Sequence, residues 1–265
     1  MNISIGQYYP ATSFIHSMDP RIKLLGTAVY IAGLFTVNSF WGYLFIGCCL
    51  CMIIYASRVP PRFMFRGLKA LIFILVFTSA ISVFFTPGET VLFQFYAVKI
   101  TLEGVVNAVR MTFRLIMLIS GSSVLTLTTT PIKLTDAIEY ILKPFKRIKV
   151  PAHEIAMMMT IALRFIPTLM EEVDRIMKAQ TARGADFDTG GLIKKAKSLI
   201  PLLVPLFISA FRRADDLAVA MEARCYRGDI NRTKMKVMVL EGRDYKALCW
   251  MAGFSAAVAL LVVFT

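Results

Sequence analysis

The chain has 265 residues, 57% of them hydrophobic, with a mean hydropathy of +0.65 and a formal net charge of +13. That apolar share exceeds what a soluble domain carries, so lipid is the solvent for much of this chain. The 20 Lys/Arg and 14 Asp/Glu between Lys133 and Asp244 are interleaved with apolar runs, without an arginine-rich tail or base-stacking aromatics. This pattern argues against a nucleic-acid partner and for a cytoplasmic face opposite anionic lipid.

Met1–Met18 is polar and aromatic and reads as a short arm with no fold of its own, lacking the basic start, apolar core and small-residue cleavage site of a signal peptide. Insertion is therefore expected through internal spans. Asp19-Pro20 is a helix start, with Asp19 as cap and Pro20 in the first turn. Arg21 and Lys23 mark the cytoplasmic edge of an apolar run from about Leu24 to Val37, and Asn38-Ser39 is a tight polar break. A second run, about Phe40 to Tyr55, returns across the membrane with Trp41 and Tyr43 at its outer end.

Arg58, Arg62, Arg66 and Lys69, with Pro60-Pro61 among them, are expected to form a basic cytoplasmic loop before a third run, about Ala70 to Phe85. Thr86-Pro87-Gly88 ends it, and a weakly charged outer segment to Ile100 leads into a fourth run, about Leu102 to Leu127. Each run approaches the ~20 residues that a spanning helix needs. Arg110 and Arg114 sit four apart on one face of the fourth run, as packing charges or as a contact for a partner.

After Thr130-Pro131, Leu134, Ala137, Ile138, Ile141 and Phe145 recur at helical spacing opposite Lys133, Asp136, Glu139 and Lys143. This reads as an amphipathic surface helix. His153–Met170 and Leu199–Phe211 are apolar enough to be mistaken for crossings. If both crossed, the connector with Arg175, Lys178, Arg183, Lys194, Lys195 and Lys197 would lie outside, against the positive-inside rule. The expected fold is therefore an all-α integral membrane protein with about five transmembrane helices plus long cytoplasmic helices. It divides into an N-terminal membrane domain (1–130, four spans), a cytoplasmic or interfacial helical domain (131–244) and a C-terminal span (245–265). The N-terminus is expected inside and the C-terminus outside.

The stretch from Pro151 to Gly228 holds an internal echo. At an offset of 41 residues, Asp174 falls on Asp215, Ala179 on Ala220, Ala182 on Ala223 and Arg183 on Arg224. The acidic pair Glu171-Glu172 falls on the basic pair Arg212-Arg213. Each passage ends in a small residue followed by arginine, Ala182-Arg183-Gly184 and Ala223-Arg224-Cys225, with Gly184 and Gly228 as expected helix stops. A small alanine lets a helix tip enter a groove, and the guanidinium offers five fixed donors to carboxylates or carbonyls there.

Little else carries chemistry. Gly190-Gly191-Leu192 is followed by Ile193 and not by a Walker lysine, so no ATP hydrolysis by this chain is expected. Asp215-Asp216 lacks the further carboxylates of a magnesium motif, and neither His16 nor His153 shows a spaced acid or cysteine partner in the sequence, so no catalytic role is expected of either. Cys48, Cys49 and Cys51 read as packing residues, and Cys225 and Cys249 have no zinc or disulfide spacing. No metal, cofactor or catalytic residue is expected. The Met157-Met158-Met159 run, with Met170, suits helix packing or an adaptable partner surface.

Asp19-Pro20-Arg21-Ile22-Lys23-Leu24-Leu25, the paired alanine-arginine signatures, and four spans before a helical section and a last span are together similar to one known family. The chain resembles the transmembrane T component of energy-coupling factor (ECF) transporters, the EcfT/CbiQ-like proteins. The second signature departs from the pattern, with Cys225 where glycine is usual. The resemblance implies a scaffold and not an enzyme, in the cell membrane. Two ABC ATPase subunits would dock at Ala182, Arg183, Gly184 and at Ala223, Arg224, Cys225. A membrane-embedded S component would capture a vitamin or metal ion. Glu171 and Glu172 are expected to meet Arg212 and Arg213 where the long helices cross. The alternatives are a conventional import permease that forms the substrate path itself, whose Glu-Ala-Ala-led loop is not visible, and a lipid-modifying enzyme, for which no acid or histidine constellation appears.

Overall fold

The structure, a computed structural model, describes residues 8–87, 90–95, 98–185, 187, 191–228 and 238–264. Two compact units form, one from Met1–Ala137 with Val237–Thr265 and the other from Ile138–Lys236.

The first unit is built of helices. Ser13 caps the short α1 (Phe14–Ser17), accepting from the His16 amide at 3.2 Å. Asp19 caps α2 (Pro20–Thr36), accepting from the Arg21 amide at 2.9 Å, with Pro20 at the first helical position as expected. After the Val37–Ser39 break, α3 (Phe40–Ser57) stops at Arg58, which adopts a left-handed φ of 55°. The basic stretch expected as a loop is instead mostly helix, because α4 (Pro61–Phe85) begins at Pro61. Proline at the first position has its φ preset and no amide to leave unpaired, so only Arg58–Pro60 remains as linker. Segments Pro61–Lys69 and Leu71–Phe85 of α4 meet at a bend of 57°.

An antiparallel pair, β1 (Val91–Phe95) and β2 (Val98–Thr101), follows where a plain outer segment was expected. Thr101 then caps α5 (Leu102–Thr128), accepting from the Gly104 amide at 3.1 Å. The last helix, α9 (Gly242–Phe264), begins a turn or more ahead of the apolar run at Leu248. Of the described helices, α3, α5 and α9 are long and apolar enough to cross a membrane, and the two segments of the bent α4 together make a fourth when taken as one span. The 17-residue α2 lies at the lower limit of a span. Large apolar side chains stand on the outer surface, among them Phe73 at 76% and Phe85 at 80% exposure, as lipid contact requires.

The core of this unit gathers Tyr30, Leu34, Val37, Tyr43, Ile46, Cys49, Leu50, Phe254 and Val258. Tyr30 lies against α5 at Gly121, where an added Cβ would stand 2.4 Å from the ring, and its hydroxyl donates to the Met117 carbonyl at 3.1 Å. Only glycine admits that approach. Phe254 of α9 stacks near Tyr30, Phe45 and Trp250 at 6.4, 6.0 and 5.9 Å between ring centroids.

In α6 (Pro131–Leu142), which runs across the unit boundary, Thr135 and Ala137 are buried. The apolar stripe was expected to continue to Phe145, but α6 ends at Leu142 and a 3-10 turn covers Lys143–Ile148. Pro144 explains the stop, since a proline disfavours helical backbone at the residue before it. The second unit is dominated by α7 (Ala152–Ala182) and α8 (Leu192–Ala223). Their lengths allow Pro167, Pro201 and Pro205 to be carried inside, each withholding one backbone donor.

Candidate functional site

The two echoed passages are the two long helices, and their ends close identically. Arg183 is the C-cap of α7, and Gly184 follows with φ +87°. The Gly184 amide donates to the Thr181 carbonyl at 3.0 Å and the Ala185 amide to the Gln180 carbonyl at 2.9 Å. In α8, Arg224 is the C-cap, Cys225 has φ +54°, and the amides of Cys225 and Tyr226 reach the Glu222 and Met221 carbonyls at 2.8 and 3.1 Å. Both are Schellman closures, in which one left-handed residue lets two following amides satisfy orphan carbonyls.

The alanine-arginine signature is thus a helix-terminating device with the arginine at its rim. Gly228 does not stop α8, as the sequence reading expected. Cys225 takes that position at the cost of a left-handed backbone that glycine would adopt freely. Ala182, Arg183, Gly184, Ala223, Arg224 and Cys225 are all exposed. Among the described residues, neither arginine makes a side-chain hydrogen bond or ion pair.

The helices meet where the echo aligns opposite charges. Arg213 donates to Glu172 Oε2 at 2.5 Å, with side-chain exposures of 38% and 25%. These two residues are equivalent at the 41-residue offset. A Cβ on Gly228 would lie 3.8 Å from Glu154 Oε1, so the end of α8 returns toward the start of α7 and the pair runs antiparallel. Antiparallel helices whose equivalent residues touch are related by a local twofold axis at the contact. Identical side chains on such an axis would bring like charges together, and the Glu172/Arg213 exchange replaces that repulsion by an ion pair. Glu171 and Arg212 are exposed and without an ion pair among the described residues. One residue along a helix turns 100° away, so both pairs cannot face the crossing.

Each arginine lies eleven residues beyond the crossing. At 1.5 Å per residue the two tips stand about 16 Å from it, in opposite directions. On α8, Leu199, Leu203, Val204, Phe207, Ile208 and Phe211 form an exposed apolar stripe, and on α7 Met158 is exposed beside half-buried Met157 and Met159.

The charges within α5 have different fates. The Arg114 guanidinium donates to the Tyr43 hydroxyl from Nε at 2.9 Å and to Asn38 Oδ1 and the Val37 carbonyl at 2.9 and 3.2 Å, with its Cζ 5.8 Å from the Phe35 ring centre. It pins the break between α2 and α3, which explains its place in an apolar helix. Arg110 is half-buried and makes no side-chain hydrogen bond or ion pair among the described residues.

The segment Asp19–Leu25 carries a knot that sequence reasoning missed. Asp244 Oδ1 accepts from the Asp19 amide and its Oδ2 from the Glu241 amide, both at 2.9 Å. Arg21 donates to the Met238 carbonyl at 2.9 Å, and buried Lys23 donates to the Thr128 carbonyl at 3.0 Å, capping the end of α5. His16 is buried beside it. Its Nε2–H donates to the Tyr9 carbonyl at 3.0 Å and its Nδ1 accepts from the Ser13 hydroxyl at 2.7 Å. Burial, with help from the Lys23 charge, lowers the His16 pKa below the ordinary histidine value. No local spacing could reveal a knot whose partners, Asp19 and Asp244, lie 225 residues apart. Among the described residues, no three His, Cys, Asp or Glu side chains assemble into a metal-binding group.

The family model CbiQ, described as cobalt transport protein, matches residues 11–236. The energy-coupling factor transporter transmembrane protein EcfT of Clostridium kluyveri is 55% identical over 250 residues, covering 94% of this chain and 93% of the relative. Proteins of the same name from Streptococcus equi subsp. equi and Bacillus subtilis are 46% identical over 259 residues and 45% over 240, covering 98% and 91% of this chain and 93% and 91% of their own. With helices α2 to α8 inside the matched region and relatives alike over nearly their full length, the chain belongs to the CbiQ family and is a transmembrane EcfT-type component of energy-coupling factor transporters.

Proposed function

We propose that this chain is the non-catalytic scaffold of an ATP-driven importer of a vitamin or other micronutrient. One ABC ATPase subunit docks at the α7 tip through Ala182, Arg183 and Gly184, and another at the α8 tip through Ala223, Arg224 and Cys225. The observation that supports this reading most is the pair of matched, exposed, arginine-bearing closures disposed about a local twofold at Glu172 and Arg213. A two-subunit motor offers two such grooves in the same symmetry. Closure of the motor would move the tips relative to each other, and the crossing would carry that motion along α7 and α8. The apolar stripe of α8 is the surface on which a membrane-embedded S component would ride. In this reading residues 1–130 and 245–265 form the membrane domain, 131–244 the coupling domain, and the N-terminus is cytoplasmic.

The test is co-purification from membranes with both ATPases and an S component, comparing wild type with Arg183→Glu, Arg224→Glu and the double variant. Loss of a docking arginine should cost ~2 kcal/mol or more. Each single variant should therefore lose an ATPase or its substrate-stimulated hydrolysis. Full ATPase retention and turnover in the double variant would reduce the arginines to helix ends and bring forward a permease that forms the path itself.

A further inference from the structure

The first unit holds a half-open cavity of about 380 Å³ among α1, α2, α3, α5 and α9, with an almost wholly apolar wall. The volume falls within the range of ligand pockets. On α9 its wall runs from Lys246 through Trp250 to Phe254, eight residues or about 12 Å of helix, close to the hydrocarbon depth of one leaflet. Beside it lies an open, more polar groove lined by Arg58 and Arg243, and Phe14 and Ala56 belong to both walls. Arg243 and Lys246 sit three apart at the start of α9, Arg243 in the wall of the wet groove and Lys246 in the wall of the apolar cavity, so each space carries one cation from the same helix end. Arg243 is paired through Nε and Nη2 with the exposed Glu241, whose carboxylate a phosphate would displace, and Lys246 is exposed and makes no ion pair among the described residues. Buried Lys23 spends its three donors on the His16 and Thr128 carbonyls and the Thr129 hydroxyl oxygen and contributes no free donor to this edge.

An apolar slot one leaflet deep, with a tryptophan a turn inside and cations at the rim, has the chemistry of an amphiphile with an anionic head. We propose that this cavity is a binding site for an anionic phospholipid, one acyl chain lying between α2 and α9 beneath α1 and the phosphate resting between Arg243 and Lys246. The lipid would fill space in the first unit without taking part in docking at Arg183 or Arg224.

The test uses the full chain in nanodiscs of phosphatidylglycerol and phosphatidylcholine in equal amounts, followed by detergent extraction and native mass spectrometry of retained lipid. Wild type should retain phosphatidylglycerol about tenfold over phosphatidylcholine, since each surface cation favours an anionic head by a few-fold. Arg243→Glu/Lys246→Glu should erase the preference. Ala56→Trp, which fills the shared wall from an exposed helix position, should release both lipids with an unchanged melting temperature. Equal retention of the two lipids by wild type, or undiminished retention by Ala56→Trp, would overturn the proposal. So would loss of the lipid when the ATPases and S component are bound, which would assign the cavity to a partner.

Discussion

Reversing the charges at the α7–α8 crossing separates a specific contact from a coincidence of composition. Glu172 and Arg213 are only partly exposed, at 25% and 38%, so their pairing belongs at the upper end of surface ion pairs, about 1 kcal/mol. Glu172→Arg loses that attraction and sets a second cation beside Arg213, adding a repulsion of similar size. The expected loss is about 2 kcal/mol, read as a fall of roughly 4–8 °C in melting temperature at about 2–4 °C per kcal/mol. Arg213→Glu should behave alike. The double reversal rebuilds the pair and should recover most of the loss, which an additive pair of mutations cannot do. Scanning fluorimetry of the purified chain measures all four corners of the cycle. The same reversals at Glu171 and Arg212, which are exposed, serve as a control and should shift stability by less than ~0.5 kcal/mol. If the double reversal at Glu172 and Arg213 melts as low as the summed singles, or if the control reversals cost as much, the local twofold is not held by this contact.

The helix tips should respond asymmetrically to backbone chemistry. Gly184→Ala meets no atom within 4 Å, so its cost is the left-handed φ alone, ~1 kcal/mol, whereas Cys225→Gly relieves that strain and should gain ~0.5 kcal/mol after the entropy of the added glycine; unfolding of the two variants checks both signs. Gly121→Ala drives a Cβ into the Tyr30 ring and should cost about 1–3 kcal/mol, with much of that loss absent when Tyr30 is already alanine. Because the folded state lowers the His16 pKa, the unfolded chain binds the proton more readily and stability is lost as pH falls below about 6.5. Wild type should therefore lose more melting temperature between about pH 7.5 and pH 5.5 than His16→Gln, and equal slopes would remove His16 from the account.

What the sequence determined by itself was whatever is written within a few residues or in a regular period. The apolar runs lie in α2, α3, α4, α5 and α9, the Asp19-Pro20 start is a capped helix end, and the 41-residue echo is a pair of helices ending at the same offset. Such features are legible because hydrophobic run length, proline at a first turn and a repeated helix end act through local backbone and solvation. Where local signals compete, the structure departs from the expected pattern: Pro61 opens a helix inside an expected loop, Pro144 closes α6 before Phe145, and Cys225 takes the left-handed place expected of a glycine. Only the tertiary structure decided that Arg114 pins the α2–α3 break, that Asp244 ties α9 to the start of α2, and that Glu172 and not Glu171 meets Arg213. Each of these depends on the direction a side chain takes across a helix interface. A 100° step per residue turns neighbouring positions in the sequence toward different surroundings, and only packing determines which one finds its partner.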